Sequence, residues 1–178
     1  MTRRGSPGFT LPELLVTLTL LAIAFAYAAP RLDSLLAEHR SQAIMSELAA
    51  RIESARKHAL ARAQTVRLCP GTSACGEPGN WIEETALVTE EGDLLRRFPP
   101  LAASGEINWR SFGNRAWIEF APNGLTPNQS GRLTYCPENG DARRARQLIV
   151  NASGRVRFAT DADGDGIIES SNGTPVVC

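Results

Sequence analysis

Arginine is concentrated in one stretch of this 178-residue sequence, from residue 131 to residue 160. The stretch holds six arginines and only two acidic residues, although Lys+Arg and Asp+Glu balance at 19 each over the whole chain. The six are Arg132, Arg143, Arg144, Arg146, Arg155 and Arg157. Because Arg155 and Arg157 alternate with Val156, both guanidinium groups would point to one face of a β-strand. Neighbouring guanidinium groups suit the phosphates of a nucleic-acid backbone. The alternative is a solvated strand face whose arginines pair with acidic neighbours.

An acidic loop with the sequence DADGDGIIESSN follows directly, over residues 161 to 172. Its alternating oxygen groups fit the first, third, fifth, seventh and ninth positions of an EF-hand-like loop, with Gly166 at the turn. The candidate Ca²⁺ ligands are the carboxylates of Asp161, Asp163, Asp165 and Glu169 and the carbonyl of Ile167. The twelfth position is Asn172 instead of a glutamate, so a solvated turn is the alternative. Without a bound cation, the loop would also weaken the positive field that DNA meets at the arginines, unless it points elsewhere.

A third chemical group, the carboxylate of Glu13, lies inside an apolar run from Phe9 to Ala29. These 21 residues are enough to span a bilayer as a helix, which needs about 20. Arg3 and Arg4 precede the run, which predicts a cytoplasmic N-terminus, with the residues after Pro30 across the membrane. A cleaved signal peptide is the alternative, but its apolar part is usually shorter. A carboxylate in lipid is costly and usually marks function through a partner.

The elements that position these groups begin with a helical pattern that continues from residue 31 to residue 64, without glycine or proline. Apolar residues recur on one face, at Leu32, Leu35, Leu36, Ile44, Leu48, Ile52, Ala55, Ala59 and Ala63. Glu47 and Arg51 are spaced as an i,i+4 pair on the solvated side. We expect one long amphipathic helix that continues the membrane span and packs on a head. A coiled coil is the competing interpretation, but the spacing is not a sustained heptad.

From residue 65 the sequence changes to short β-like runs separated by turns rich in Pro, Gly and Asn. The predicted strands cover residues 65–69, 81–89, 94–98, 106–110, 116–120, 132–136, 147–151 and 155–159. A helix followed by antiparallel strands is an α+β arrangement in which the helix covers one sheet face. The organisation predicted from residue 9 onwards is a membrane helix (9–30), an amphipathic helix (31–64) and a β-rich head with a C-terminal tail (65–178).

The stretch GFTLPELL, residues 8 to 15, resembles the type IV prepilin signature, although Pro12 departs from the Ile or Leu common beside the glutamate. The resemblance implies a leader of residues 1–8, cleavage by a prepilin peptidase between Gly8 and Phe9, and methylation of the Phe9 amino group. The freed amino group could then meet Glu13 of an adjacent subunit. The full layout resembles the minor pilins and pseudopilins of the GspH/FimT type. It implies the type IV pilin fold, a long N-terminal helix on an antiparallel β-sheet head.

The GRVR segment, residues 154 to 157, resembles the GRxR motif of FimT-like minor pilins that bind DNA during natural transformation. The resemblance assigns double-stranded DNA binding to Gly154, Arg155 and Arg157, with Arg143, Arg144 and Arg146 as possible helpers. The implied protein is a minor pilin anchored in the inner membrane, with a periplasmic head that becomes extracellular in the pilus among other pilin subunits. The alternative is a minor pseudopilin of a type II secretion system.

Catalytic motifs are absent from the sequence. His39 and His58 both fall on the predicted helix without metal-site spacing, and the sequence contains no nucleophile elbow, phosphate loop or GxGxxG. We therefore expect no enzyme activity and no required cofactor, with Ca²⁺ as the one candidate ligand ion.

The four cysteines suit two disulfides in an oxidising compartment. Four cysteines allow three pairings. Cys69 and Cys75 are close in sequence across a loop with glycine, so we favour Cys69–Cys75 with Cys136–Cys178. The second bridge would fix the C-terminal tail to the head.

Overall fold

The computed structural model describes residues 10–71 and 75–178. These residues form one long α-helix, eight β-strands and a short 3-10 helix. The chain divides into two compact units, of which the first ends at Glu38 and the second comprises His39–Cys178. The predicted processing site between Gly8 and Phe9 lies outside the described residues.

Helix α1 (Leu11–Arg62) supplies the whole helical part of the first unit and continues through Pro30. Its segment Leu11–Ala28 is long and apolar enough to cross a membrane, with a mean hydropathy of 1.9 over 18 residues. The hydroxyls of Thr17 and Thr19 donate to carbonyls one turn earlier, at 2.9 and 2.8 Å. Polar groups satisfied within the helix are what a segment in hydrocarbon requires.

The second part of α1 buries the apolar face that the sequence predicts, but only from Ile44 onwards. The side chains buried there are Ile44, Met45, Leu48, Ile52, Ala55 and Ala59. Leu32, Leu35 and Leu36 are exposed. The helix ends at Arg62 because Ala63 takes a left-handed conformation with φ of 49°, and the N–H of Gln64 donates to the Ala59 carbonyl.

Arg51 corrects the prediction of a solvated Glu47–Arg51 pair. Only 3% of Arg51 is exposed, and its guanidinium group donates to Glu47 at 2.6 Å, to the Pro99 carbonyl at 2.7 Å and to the Thr85 hydroxyl at 3.1 Å. It also lies against the ring of Phe98. The two terminal nitrogens of the buried group therefore have partners that replace water, although Nε has none within the described chain, and the group ties α1 to the strands.

The eight strands form two antiparallel sheets of four. The strands are β1 (Val66–Pro70), β2 (Thr85–Thr89), β3 (Leu94–Phe98), β4 (Glu106–Ser111), β5 (Ile118–Phe120), β6 (Gly131–Cys136), β7 (Arg146–Val150) and β8 (Val156–Phe158). Sheet A has the order β3-β2-β1-β5 and sheet B has the order β4-β6-β7-β8. The predicted α+β class is confirmed, and each predicted strand exists near its expected place. Two sheets, not one, pack on the helix.

One core joins the second part of α1 to both sheets. Leu48 and Ile52 of the helix share it with Leu68 of sheet A and with Leu133 and Leu148 of sheet B. Because alternate residues of sheet B enter this core, the residues between them lie on the outer face of the sheet. The outer face therefore carries Arg132 of β6 and Arg157 of β8.

Both predicted disulfides are present, Cys69–Cys75 and Cys136–Cys178. The second joins the end of β6 to the C-terminal residue and closes a loop with a sequence separation of 42. Loop-closure entropy attributes about 4 kcal/mol of stability to such a bridge. The tail (residues 168–178) also packs Ile168 and Val176 against Ile149 on the outer face of sheet B. The tail is thus fixed by a covalent bond and by a small apolar core.

Candidate functional site

Gly154 occupies a turn that no other residue fits well. It lies in the turn that joins β7 to β8, where its φ is 73° and its N–H donates to the Asn151 carbonyl at 2.9 Å. A Cβ added at this position would collide with the carbonyl oxygen of Gly124. That oxygen already accepts a hydrogen bond from Arg56 at 3.1 Å. The glycine of the GRVR segment therefore serves the fold by allowing two loops to touch.

Replacing Gly154 with alanine should destabilise the protein by about 2–5 kcal/mol, since the left-handed conformation and the collision both oppose a side chain. A denaturant or thermal melt of the full chain in detergent measures this loss. Gly140→Ala is the matched control, because Gly140 has a φ of 67° but nothing within 4 Å of an added Cβ. It should lose only about 1–2 kcal/mol. Equal losses in the two variants would contradict a close contact at Gly154.

Arg155 and Arg157 are both exposed and flank Val156, which is half-buried against the core. The sequence predicts this alternation. The backbone of Arg155 is held by Asn151, whose side chain accepts the Arg155 N–H at 2.9 Å. Within the described chain, neither guanidinium group has a hydrogen-bond or ion-pair partner. Two cations on a fixed hairpin are therefore available to an anion in solution.

The three candidate helper arginines have different surroundings. Arg144 pairs with Asp141 at 3.2 Å, and Arg146 donates to the carbonyls of Arg143 and Ala145 at 3.0 and 2.8 Å. These contacts hold the 3-10 turn Ala142–Arg144 onto β7. Arg143 is exposed and lies about 4.0 Å from where a side chain on Gly166 would begin. Arg143 therefore neighbours the acidic loop, whereas Arg144 and Arg146 have structural partners.

The acidic loop brings its four predicted carboxylates together. One oxygen from each of Asp161, Asp163, Asp165 and Glu169 can be chosen so that all lie within 4.8 Å of one another. Backbone N–H groups of Gly166 and Gly164 donate to Asp161 at 2.8 and 2.7 Å and hold the pKa of this carboxyl below its ordinary value. The loop therefore keeps Asp161 ionised and arranges the oxygens that Ca²⁺ prefers.

Hydrogen bonds within the protein already occupy some of the oxygen atoms of the acidic loop. The Ile167 N–H donates to Asp165 at 2.7 Å, and Asn172 bonds to Thr174 in the tail. Glu169 accepts the Ala162 N–H with one carboxylate oxygen, while its other oxygen is buried without a partner among the described residues. Arg157 lines the same surface depression as Asp163 and Glu169, so the acidic loop lies beside the candidate DNA-binding hairpin.

Two further arginines belong to the outer face of sheet B. Arg110 of β4 pairs in register with Arg132 of β6. Ile149 of β7 lies between Arg132 and Arg157 of β8 and pairs with both. Sequence reasoning did not select Arg110, because it lies outside the arginine-rich stretch. The alternation in EINWR, residues 106 to 110, could have indicated its outward position, because Ile107 is buried and Arg110 is exposed. Only the register shows that Arg110 and Arg132 are neighbours.

Comparison with known proteins gives two family matches. Residues 45–154 match the family model described as "Type II transport protein GspH", and residues 3–29 match the one described as "Prokaryotic N-terminal methylation motif". None of the curated protein sequences matches the chain. The GspH match ends at Gly154, so Arg155 and Arg157 lie just beyond it.

Two solved structures of the type IV minor pilin FimU from Pseudomonas aeruginosa share the fold. The first is 19% identical, with a TM-score of 0.54, and the alignment covers 77% of this chain and 93% of that chain. The second, in another crystal form, is 17% identical, with a TM-score of 0.50, and its alignment covers 67% of this chain and 92% of that chain. Similarity at this level of identity shows the fold alone. The GspH match, which spans more than half of the chain, shows the family. The chain belongs to the GspH family of type IV minor pilins and pseudopilins.

Proposed function

We propose that this protein is a minor subunit of a type IV pilus and that its head binds double-stranded DNA for uptake in natural transformation. The family match and the methylation motif support the role as a filament subunit. Pilins and pseudopilins are structural subunits, so the proposal gives the chain no catalytic role. Prepilin peptidase and the other pilin subunits are the partners that the family implies.

The observation that carries the assembly role is the exposure of the apolar helix. Every described residue of Leu11–Ala28 is exposed within the chain, including the large side chains of Leu14, Val16, Leu20, Ile23 and Phe25. Such a surface needs lipid or other helices to cover it. We propose that the bilayer covers it first, with the head in the periplasm, and that neighbouring subunits cover it in the pilus.

Glu13 gives this helix a specific contact. It lies in the first turn of α1, where the helix dipole favours a negative charge. After cleavage behind Gly8, the methylated amino group of Phe9 would carry a positive charge near the same end of the chain. We propose that this group pairs with Glu13 of an adjacent subunit and so offsets the cost of a carboxylate in lipid.

The DNA-binding role rests on Arg155 and Arg157. Both guanidinium groups are exposed, without partners in the described chain, and held on a hairpin that Gly154 makes rigid. Guanidinium groups bind phosphates bidentately, and such contacts depend little on DNA sequence and strongly on salt. Arg143 can add a contact from the neighbouring turn, whereas the partners of Arg144 and Arg146 favour a structural role for them.

A minor pseudopilin of a type II secretion system is the second candidate, because the family model carries that description. Sheared pili from cells that express the chain distinguish the two. A pilus subunit should be recovered with the pili, and its deletion should impair piliation and transformation. If the chain is absent from sheared pili and its deletion blocks secretion of folded proteins, the pilus assignment is wrong.

We also propose that the acidic loop binds Ca²⁺ with modest affinity. The four gathered carboxylates and the unpartnered buried oxygen of Glu169 support this site. A bound cation would also reduce the negative charge that the loop presents beside Arg157. The loop would then interfere less with DNA at the hairpin.

Millimolar Ca²⁺ should raise the melting temperature of the full chain in detergent. A concentration about ten times the dissociation constant stabilises the folded state by about 1.4 kcal/mol, which corresponds to about 3–6 °C. Mg²⁺ at the same concentration should give a smaller shift, because it accepts fewer protein ligands. The Asp161→Asn, Asp163→Asn double variant is the control. An equal Ca²⁺ shift in that variant, or none in the original chain, would rule out the site.

A further inference from the structure

A groove of about 450 Å³ runs across one end of the outer face of sheet B. We call it the Phe112 groove. Its walls include Arg110, Phe112, Ser130, Arg132, Ile149 and Asn151. Apart from Asn151, which holds the backbone of Arg155, the role proposed for Arg155 and Arg157 does not use these residues. The groove combines two cations, an aromatic ring and hydrogen-bonding groups in one depression.

The two cations are Arg110 and Arg132, which lie directly opposite each other on antiparallel strands. Like charges in this position oppose pairing of the strands. Neither side chain has a hydrogen bond or an ion pair within the described chain. A pair of guanidinium groups kept together in this way favours an anionic ligand with more than one charge.

The aromatic ring is that of Phe112, of which 72% is exposed. The backbone of Phe112 is fixed, because its N–H donates to the Ser130 carbonyl at 2.8 Å and so extends the pairing of β4 with β6. Phe112 is two residues from Arg110, and both line the groove. No described aromatic or cationic side chain stacks on the ring. It therefore presents an open, apolar face beside two cations.

The groove also leads to the candidate DNA-binding hairpin. Asn151 also lines the groove and accepts the backbone N–H of Arg155 at 2.9 Å. A chain of phosphates lying in the groove would pass Arg110 and Arg132 and then reach Arg155. The arginines of the two locations therefore belong to one path across the end of the sheet.

We propose that the Phe112 groove binds a single DNA strand, with a base stacked on Phe112 and phosphates on Arg110 and Arg132. This inference rests on the proposed DNA-binding function and extends it to a second class of DNA substrate. Phosphate contacts alone would serve duplex DNA equally well, but in a duplex the faces of the bases are covered by their neighbours. Only an unpaired base offers its face to Phe112, and a ring of this kind beside cations is typical of single-strand binding.

The test is fluorescence anisotropy of the full chain in detergent, with labelled oligothymidine and with a labelled duplex of the same length. Phe112→Ala should weaken binding of oligothymidine about tenfold and leave duplex binding unchanged, because the loss of one stacking contact affects only unpaired bases. Phe112→Trp should retain binding. Leu94→Ala is the control, since Leu94 is 48% exposed on sheet A.

Arg110→Ala with Arg132→Ala should also weaken oligothymidine binding, with Arg96→Ala and Arg97→Ala as a charge-matched control on sheet A. If Phe112→Ala affects both DNA forms equally or neither, the groove is not a single-strand site. Duplex binding that still depends on Arg155 and Arg157 would then leave the proposed function intact. If the original chain binds neither DNA form, both the proposed DNA function and this inference are wrong.

Discussion

Replacing Arg155 and Arg157 with alanine should weaken binding of duplex DNA by at least about a hundredfold at physiological salt. The two guanidinium groups are exposed and have no partner in the described chain, so a phosphate meets them without displacing an existing contact. Each contact between an arginine and a phosphate releases counterions, so the loss of both arginines should also make binding less dependent on salt. The measurement is a titration of labelled duplex with the full chain in detergent, over about 50 to 200 mM salt.

Arg96→Ala with Arg97→Ala is the matched control for this titration. It removes the same charge from exposed positions on sheet A, where the guanidinium group of Arg96 lies over the ring of Phe98. The control should retain most of the affinity. If both double variants lose affinity equally, net charge alone attracts the DNA, and the hairpin is not a binding site.

Glu13→Ala should prevent incorporation of the chain into filaments without reducing its insertion into the membrane. The substitution removes the one carboxylate from an apolar span, so insertion into lipid becomes more favourable. In the filament, the same substitution leaves the amino group of Phe9 in the neighbouring subunit without its partner. An unpaired charge among apolar helices is strongly unfavourable. Immunoblots of the membrane fraction and of sheared pili measure the two steps separately.

Thr17→Ala is the control for the helix, because Thr17 is exposed on the same segment and its hydroxyl donates to the Leu14 carbonyl within the helix. It should insert and assemble normally. Glu13→Gln preserves the shape of the side chain but not its charge, and should fail like Glu13→Ala. Normal incorporation of either Glu13 variant would contradict the proposed pairing.

Much of this fold follows from local patterns in the sequence. The apolar run, the helical spacing up to Ala59 and the eight short strands each depend on near neighbours, and the structure has all of them. The division of the strands into two sheets depends on pairings between distant segments, such as β1 with β5 and β4 with β6. Periodicity carries no information about these pairings.

The arginines show the same limit at the level of single residues. The i,i+4 spacing of Glu47 and Arg51 indicates an exposed pair, but the loop at Pro99 and the strand at Thr85 close over Arg51. Arg110 joins the outer face of sheet B only through its register with Arg132. By contrast, the exposure of Arg155 and Arg157 follows from strand alternation within one short segment, so the sequence was sufficient to predict it.

Capture of labelled duplex DNA by sheared pili is the strictest test of a DNA-binding pilus subunit, because it requires both assembly and DNA binding by this chain. Pili from cells with the original chain should retain DNA. Pili that contain equal amounts of the Arg155→Ala, Arg157→Ala variant should retain much less. Equal capture by the two preparations, or absence of the original chain from the pili, would contradict the proposal of a DNA-binding pilus subunit.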